Sequence, residues 1–264
     1  MSVTKGIAVV TGASSGIGAV YADRLAERGY DLVLVARSAD RLADVADRIR
    51  AKTGRMVDLL PADLADATDL ARVEAFLKAT PHINMLVNNA GLGGTAKLVD
   101  ADVDQMTSLI ALNVTALTRL TYAIVPQFVA RDAGTIVNIA SIVAINPEAL
   151  NGVYGGSKAF VVAFSQNLRH ELEGSGVQVQ VVLPGATATD FWAIAGRPVE
   201  LLPSEIVMSG EDLVDSALIG LDRGEFVSIP SLQDGALFDA YETARQAMLG
   251  KLSTATPAPR YRAA

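Results

Sequence analysis

Seven short runs of β-branched and aliphatic residues, each followed by a stretch with helical spacing, constrain this chain more than any other feature. The runs fall at 7–10, 32–35, 56–60, 85–87, 135–139, 178–183 and 226–229. They read as apolar throughout instead of alternating with polar residues, so both faces of each strand must be covered. Between them, apolar residues recur at steps of three and four. Ile17, Val20, Tyr21 and Leu25 form one such stripe, which stops at Gly29. Strands alternating with helices predict an α/β fold, a single doubly wound, mostly parallel sheet flanked by helices on both faces. The length of 264 residues suits one core of this kind. One domain is expected over 1–251, and 252–264, which has Pro257 and Pro259 and no periodicity, reads as a loose tail.

Composition narrows the function. Half of the residues are hydrophobic and only 5% aromatic, as suits helices packed closely on a Val/Ile/Leu-rich sheet. With 29 acidic against 22 basic residues the net charge is −7. Nothing resembles the basic stripe that nucleic-acid binding requires. The absence of cysteine excludes disulfides, thiolate chemistry and thiolate-held metals. His82 and His170 are the only histidines, too few for a multi-histidine centre, and no metal site is expected. The apolar run at 7–10 is shorter than a signal-peptide core. No stretch approaches the ~18–20 apolar residues of a membrane span. A cytoplasmic protein without membrane or nucleic-acid partners is expected.

The first run leads directly into Thr11-Gly12-Ala13-Ser14-Ser15-Gly16-Ile17-Gly18 and then a helix. Gly12 lets the backbone turn sharply off the strand, Gly16 lets the chain approach a pyrophosphate, and Gly18 lets the helix pack on the sheet. The pyrophosphate then rests on the positive helix N-terminus. Strand before and helix after are the context this mechanism requires. The glycine spacing is joined by Asn88-Asn89-Ala90-Gly91, Asn113, Ser141, Tyr154-x-x-x-Lys158 and Pro184-Gly185, in that order. In this set the chain resembles the short-chain dehydrogenase/reductase family over nearly its whole length. The resemblance implies a Rossmann fold, a nicotinamide cofactor and hydride transfer from its pro-S face.

The end of the second strand discriminates between cofactors. An NAD enzyme needs a carboxylate there for the ribose hydroxyls. The chain has Ala36-Arg37-Ser38, with no acid before Asp40, and Arg37 lies 19 residues past Gly18. Its guanidinium can clamp a 2′-phosphate, a charge-assisted contact worth roughly 1.5–3 kcal/mol. The alternative is a solvated surface arginine. NADP(H) is therefore expected, with Ser14 and Ser15 standing where NADP enzymes of the family often carry a second basic residue. The resemblance gives Ala62-Asp63-Leu64 an adenine contact through the Asp63 carboxylate, although Asp63 could equally cap the following helix. It gives Asn89 and Gly91 a place beside the ribose. Pro184, Gly185, Thr187 and Thr189 are implied as a clamp on the nicotinamide carboxamide.

Tyr154 and Lys158, four residues apart, share one helix face. A neighbouring ammonium lowers a phenol's pKa from its ordinary value near 10, by a few units if close. Lys158 can also hold the nicotinamide ribose. Ser141 ends a strand on the carboxyl edge of the sheet, where α/β folds bind ligands, and the resemblance has it hold the substrate oxygen. Asn113, also by resemblance, supports a water chain from Lys158. Where the family usually reads Tyr-x-Ala-Ser-Lys, Gly155 and Gly156 precede Ser157, at a helix cost of roughly 2 kcal/mol relative to alanines.

Substrate choice is expected in the segments that close over the nicotinamide, above all a lid at 188–208, with contacts from Leu92, Ile142, Leu150, Phe191 and Trp192. This composition suits an apolar ketone, aldehyde or alcohol, or else a lid that packs on its own protein or on a partner subunit. Neither histidine accompanies Ser141 as a hydrolase would require. An epimerase would need a different glycine spacing and a C-terminal substrate domain. An NADPH-binding sensor or scaffold without turnover is the remaining alternative. The resemblance implies a homodimer or homotetramer paired through the long helices that carry Asn113 and Tyr154.

Overall fold

The computed structural model describes residues 4–262. Its sheet has seven strands, β1 (Ile7–Thr11), β2 (Asp31–Ala36), β3 (Val57–Pro61), β4 (Ile83–Asn88), β5 (Gly134–Ile139), β6 (Val177–Val182) and β7 (Val227–Ser228). They lie in the order β3-β2-β1-β4-β5-β6-β7, and every pairing is parallel. The expected runs fall on these strands with end shifts of one or two residues. Consecutive strand residues point to opposite faces. Ala8, Val10, Leu32 and Leu34 therefore enter one core, while Val9, Val33 and Val35 enter the other. Because both faces of the central strands are buried, their runs are mainly apolar, and the buried Asn138 and Gln180 within them are hydrogen-bonded.

Helices α1 (Gly16–Glu27) and α2 (Ala39–Thr53) cover the first face, and α3 (Ala67–Ala79) begins the second. After β4 come α4 (Val103–Ile110), a π-helical turn at Ala111–Ala116 and α5 (Leu117–Ala130). Then follow α6 (Gly152–Glu171), the short α7 (Phe191–Ile194) and α8 (Gly210–Asp222). Helix α1 is followed by Gly29 at φ 98°, as its stripe predicted. Because β1 leads outward to β2 on one side and β4 lies on its other side, the winding reverses there. The carboxyl ends of the two strands open the crevice in which such folds bind ligands.

The absence of a membrane-length helix expected from the sequence needs correction. Residues Val103–Ala130 form one helical stretch of 28 residues that is long and apolar enough to cross a membrane. Its apolarity has a structural cause, because Leu117, Leu120, Ala123, Ile124 and Phe128 are buried against the sheet and α3. The compact unit closes at Ser231, earlier than the boundary at 251 expected from the sequence. From Leu232 onward a second unit contains α9 (Ala236–Gln246), which has no buried residue. Residues 252–262 hold only the short turn Pro259–Tyr261.

Candidate active site

The glycine turn has the geometry its sequence required. Gly12 and Gly16 lie at φ 66° and 53°, in the left-handed region. A Cβ on Gly18 would stand 2.3 Å from the Gly12 carbonyl oxygen, so only glycine lets α1 approach β1 this closely. Ser15 at the head of α1 makes no side-chain cap, and the first turn holds no acid. Its amides thus remain open to an anion such as a pyrophosphate. Ser14, Ser15, Gly16 and Thr189 line one open cavity of about 480 Å³. Thr189 also approaches Gly16 directly, with its Cγ2 3.2 Å from where a Cβ would stand. The turn and the segment after β6, distant in sequence, therefore meet.

Asn89 maintains this turn. Its amide donates to the carbonyls of Thr11 and Gly12 at 2.8 and 3.2 Å, and its backbone N–H donates to Thr11 Oγ1 at 2.9 Å. Beside it Asn88 donates to Asn138 and Thr121, and Asn138 to Ser165, tying β4, β5, α5 and α6 through a buried polar chain. Arg37, directly after β2, is exposed and makes no ion pair among the described residues. The cap of α3 is Asp66, which accepts from Thr68 and Asp69. Asp63 stands three residues earlier, accepting from Ala65 N–H at 3.0 Å, so the capping alternative does not hold. Leu64 is buried in the core.

Asn113, Ser141, Tyr154 and Lys158 come together at the carboxyl ends of β4 and β5, and all four are buried. Asn151 caps α6 by accepting from the N–H groups of Val153 and Tyr154. This fixes the first turn of the helix that presents Tyr154 and Lys158. Ser141 follows β5, accepts from Val143 N–H and donates to the Pro184 carbonyl, both at 3.4 Å, and its hydroxyl acts on the Tyr154 phenol. Lys158 Nζ donates to the Ile139 carbonyl at 2.9 Å and lies 5.9 Å from the centre of the Tyr154 ring. Gly91 covers this corner, since a Cβ there would stand 3.1 Å from Asn113 Oδ1 and 3.5 Å from Lys158 Nζ.

Two expectations change. In the protein alone the Tyr154 phenol is not lowered by Lys158. Burial raises it to about 12, against which the Ser141 hydrogen bond pulls down. Burial also lowers Lys158 to about 8. Desolvation prevails because the lysine points to a backbone carbonyl and not to the phenol oxygen. The amide of Asn113 is also already engaged. It donates to Leu92 O at 2.9 Å and Ser157 Oγ at 3.1 Å, and it accepts from Leu92 N–H at 2.8 Å. It therefore has no hydrogen left for a water chain. Asn113 lies in the π-helical turn, an irregularity frequent at functional sites.

An apolar wall surrounds the phenol. Leu109 and Val143 are buried with Tyr154, and Leu92, Met106, Leu150, Val153 and Phe191 pack against them. Of the expected substrate residues, Leu92, Leu150 and Phe191 are in this wall, with the Phe191 ring 5.7 Å from that of Tyr154. Ile142 lies outside it beside Gly185, and Val143 takes the place facing Tyr154. Trp192 points into its own protein, where its indole donates to Thr187 O at 3.0 Å. For this residue, the alternative of a lid packing on itself is what the structure shows. Met106, Leu109 and Val143 were not singled out in the sequence. The three-and-four spacing of Met106, Leu109 and Asn113 on one helix face was the available signal. Gly155 permits a close approach, because a Cβ there would stand 3.1 Å from Pro147, whereas a Cβ on Gly156 meets nothing within 4 Å. Pro184 and Gly185 follow β6, and Thr187 is buried and bridges to Met208.

A doubly wound parallel sheet with an anion-ready glycine turn, and a buried tyrosine held between serine and lysine at its carboxyl edge, defines an oxidoreductase of the dinucleotide-binding class. Residues 6–197 match the family model for short chain dehydrogenases, and the chain belongs to that family. A short-chain dehydrogenase from Sphingobium yanoikuyae, solved in complex with NADPH, is similar at 47% identity. The match covers 97% of this chain and 100% of that one, with a TM-score of 0.94. A bulky-bulky ketone specific alcohol dehydrogenase from Comamonas testosteroni is 42% identical over 97% and 98% of the two chains, with a TM-score of 0.89. An uncharacterized oxidoreductase of Staphylococcus epidermidis is 35% identical over 71% of this chain and 80% of its own.

Proposed function

We propose that this protein is an NADP(H)-dependent carbonyl reductase or alcohol dehydrogenase that interconverts a ketone or aldehyde with its alcohol, using Tyr154 as general acid and base. The observation that carries the reading is the buried Tyr154 phenol, gathered with buried Ser141 and Lys158 at the carboxyl edge of the sheet and walled by apolar side chains. When bound, NADPH supplies the hydride that reduces the carbonyl carbon. The chain supplies the rest. The Ser141 hydroxyl orients the substrate oxygen beside the phenol. With its pKa at about 12, Tyr154 is protonated at neutral pH and ready to donate to the developing alkoxide. Lys158, with its pKa at about 8, carries a proton at neutral pH that it can return to the phenolate once its Nζ turns from the Ile139 carbonyl.

The NADP(H) preference rests on Arg37, directly after β2, exposed and without an ion pair among the described residues. The amides at the head of α1, Gly91 over the Lys158 corner, and the Thr187–Thr189 segment against Gly16 are the residues that would hold the cofactor. The Sphingobium relative binds NADPH, which supports the same choice here. The apolar side chains packed around Tyr154 suit an uncharged ketone with apolar substituents, in keeping with the ketone-specific Comamonas relative. On the outside, Tyr122, Phe164 and Phe160 stack across α5 and α6, at 6.5 and 5.8 Å between successive ring centres. This aromatic row suits pairing of subunits into a homodimer or homotetramer.

The deciding experiment follows NADPH oxidation with a panel of aliphatic and aryl ketones. Turnover is expected. Tight NADPH binding with no turnover on any member would favour the sensor or scaffold reading instead.

A further inference from the structure

The loop between β4 and α4 is gripped at three points. Asn113 holds Leu92 by both its N–H and its carbonyl. Asn151, which caps α6, donates to Ala96 O at 2.7 Å, and its own N–H donates to Gly94 O at 3.3 Å. Between these grips, Thr95 Oγ1 donates to Ala195 O at 2.6 Å, across 100 residues of sequence. Ala195 follows the last residue of the four-residue α7, and its carbonyl is among those a helix C-terminus leaves without an internal partner. A second attachment of this segment is Trp192 Nε1 to Thr187 O. Next to Trp192 in this segment, Phe191 lies over Tyr154 with ring centres 5.7 Å apart. It also lies over Gly93, where a Cβ would stand 2.2 Å from Phe191 Cζ.

We propose that Thr95 is a positioning residue, a latch whose hydroxyl fixes the segment from Phe191 to Ala195 over Tyr154 and so shapes the substrate pocket. The proposal builds on the reductase reading given above. The hydroxyl couples the lid to the same loop that Asn113 and Asn151 hold against the catalytic helix. Lid position and the pocket around Tyr154 are therefore set together. Loss of the hydroxyl frees the C-terminal end of α7, while the cofactor residues at 12–18 and 37 keep their places.

The test compares Thr95→Val, which removes the donor at nearly constant volume, with Thr95→Ser, which retains it. Trp192 is the only tryptophan, so acrylamide quenching reports the lid without any need for activity. Thr95→Val is expected to quench more readily than wild type, and Thr95→Ser to restore the wild-type response. For a ketone that wild type reduces, KM should rise roughly fivefold in Thr95→Val, as befits one lost hydrogen bond. NADPH affinity and kcat should stay within about twofold. Unchanged quenching in a folded Thr95→Val, or a fall in kcat at constant KM, overturns the latch. If wild type reduces no ketone while the two variants still differ in quenching as expected, the latch stands and the reductase reading fails.

Discussion

Lys158 and Tyr154 share one face of α6, yet Lys158 Nζ turns to the Ile139 carbonyl at 2.9 Å and stays 5.9 Å from the centre of the Tyr154 ring. Each group is pushed toward its neutral form by burial, the phenol up to about 12 and the amine down to about 8. At neutral pH the buried Lys158 ammonium is thus held at a cost in stability, as functional sites often are.

That cost has a pH signature. Between about pH 8 and 10, folded Lys158 is neutral while the unfolded chain still binds its proton, so this group makes stability rise with pH. Below about 8 the full penalty remains, and above the ordinary value of 10.5 it is gone. Tyr154 has the opposite sign, because from about pH 10 to 12 the folded phenol stays protonated and stability falls. Urea denaturation of the cofactor-free protein at pH 7.5 and 9.5 should show the rise, of order 1–3 kcal/mol. Lys158→Met should lose it.

Tyr154→Phe removes the acid while keeping the ring that packs with Phe191. Its kcat for ketone reduction should fall by roughly 10²–10⁴-fold. NADPH binding, measured by fluorescence titration, should change by less than about twofold. A kcat near that of wild type would assign the proton to another group.

Arg37→Asp places a carboxylate at the end of β2. NADPH affinity should drop roughly tenfold or more, while NADH use should improve. Parallel kcat/KM measurements with the two cofactors check this. An unchanged ratio would return Arg37 to the solvated surface.

The two glycines between Tyr154 and Ser157 should respond in opposite ways. Gly156→Ala meets nothing and gains helix propensity, which should stabilise by about 0.5–1 kcal/mol, or roughly 1–4 °C in Tm. Gly155→Ala must push back the Pro147 turn and should lower Tm, because its Cβ would stand 3.1 Å from Pro147 Cβ. Thermal unfolding of both variants tests the contrast.

Much of this protein is legible in its sequence. The alternation of runs and stripes gave seven strands and the helices that cover them, because periodicity is a local property of the chain. The glycines of the first turn and the residues Ser141, Tyr154 and Lys158 could be named because their order and spacing together resemble those of the short-chain dehydrogenase/reductase family. Tertiary structure decided what depends on burial and on distant partners. The direction of the Tyr154 and Lys158 shifts follows from desolvation, which spacing does not encode. Packing against Leu92 and Ser157 engages the amide of Asn113, and the length of apolar helix at Val103–Ala130 follows from its burial on the sheet. The bond from Thr95 to Ala195 exists only because the loop after β4 and the lid after β6 meet over one pocket at the carboxyl edge of the sheet.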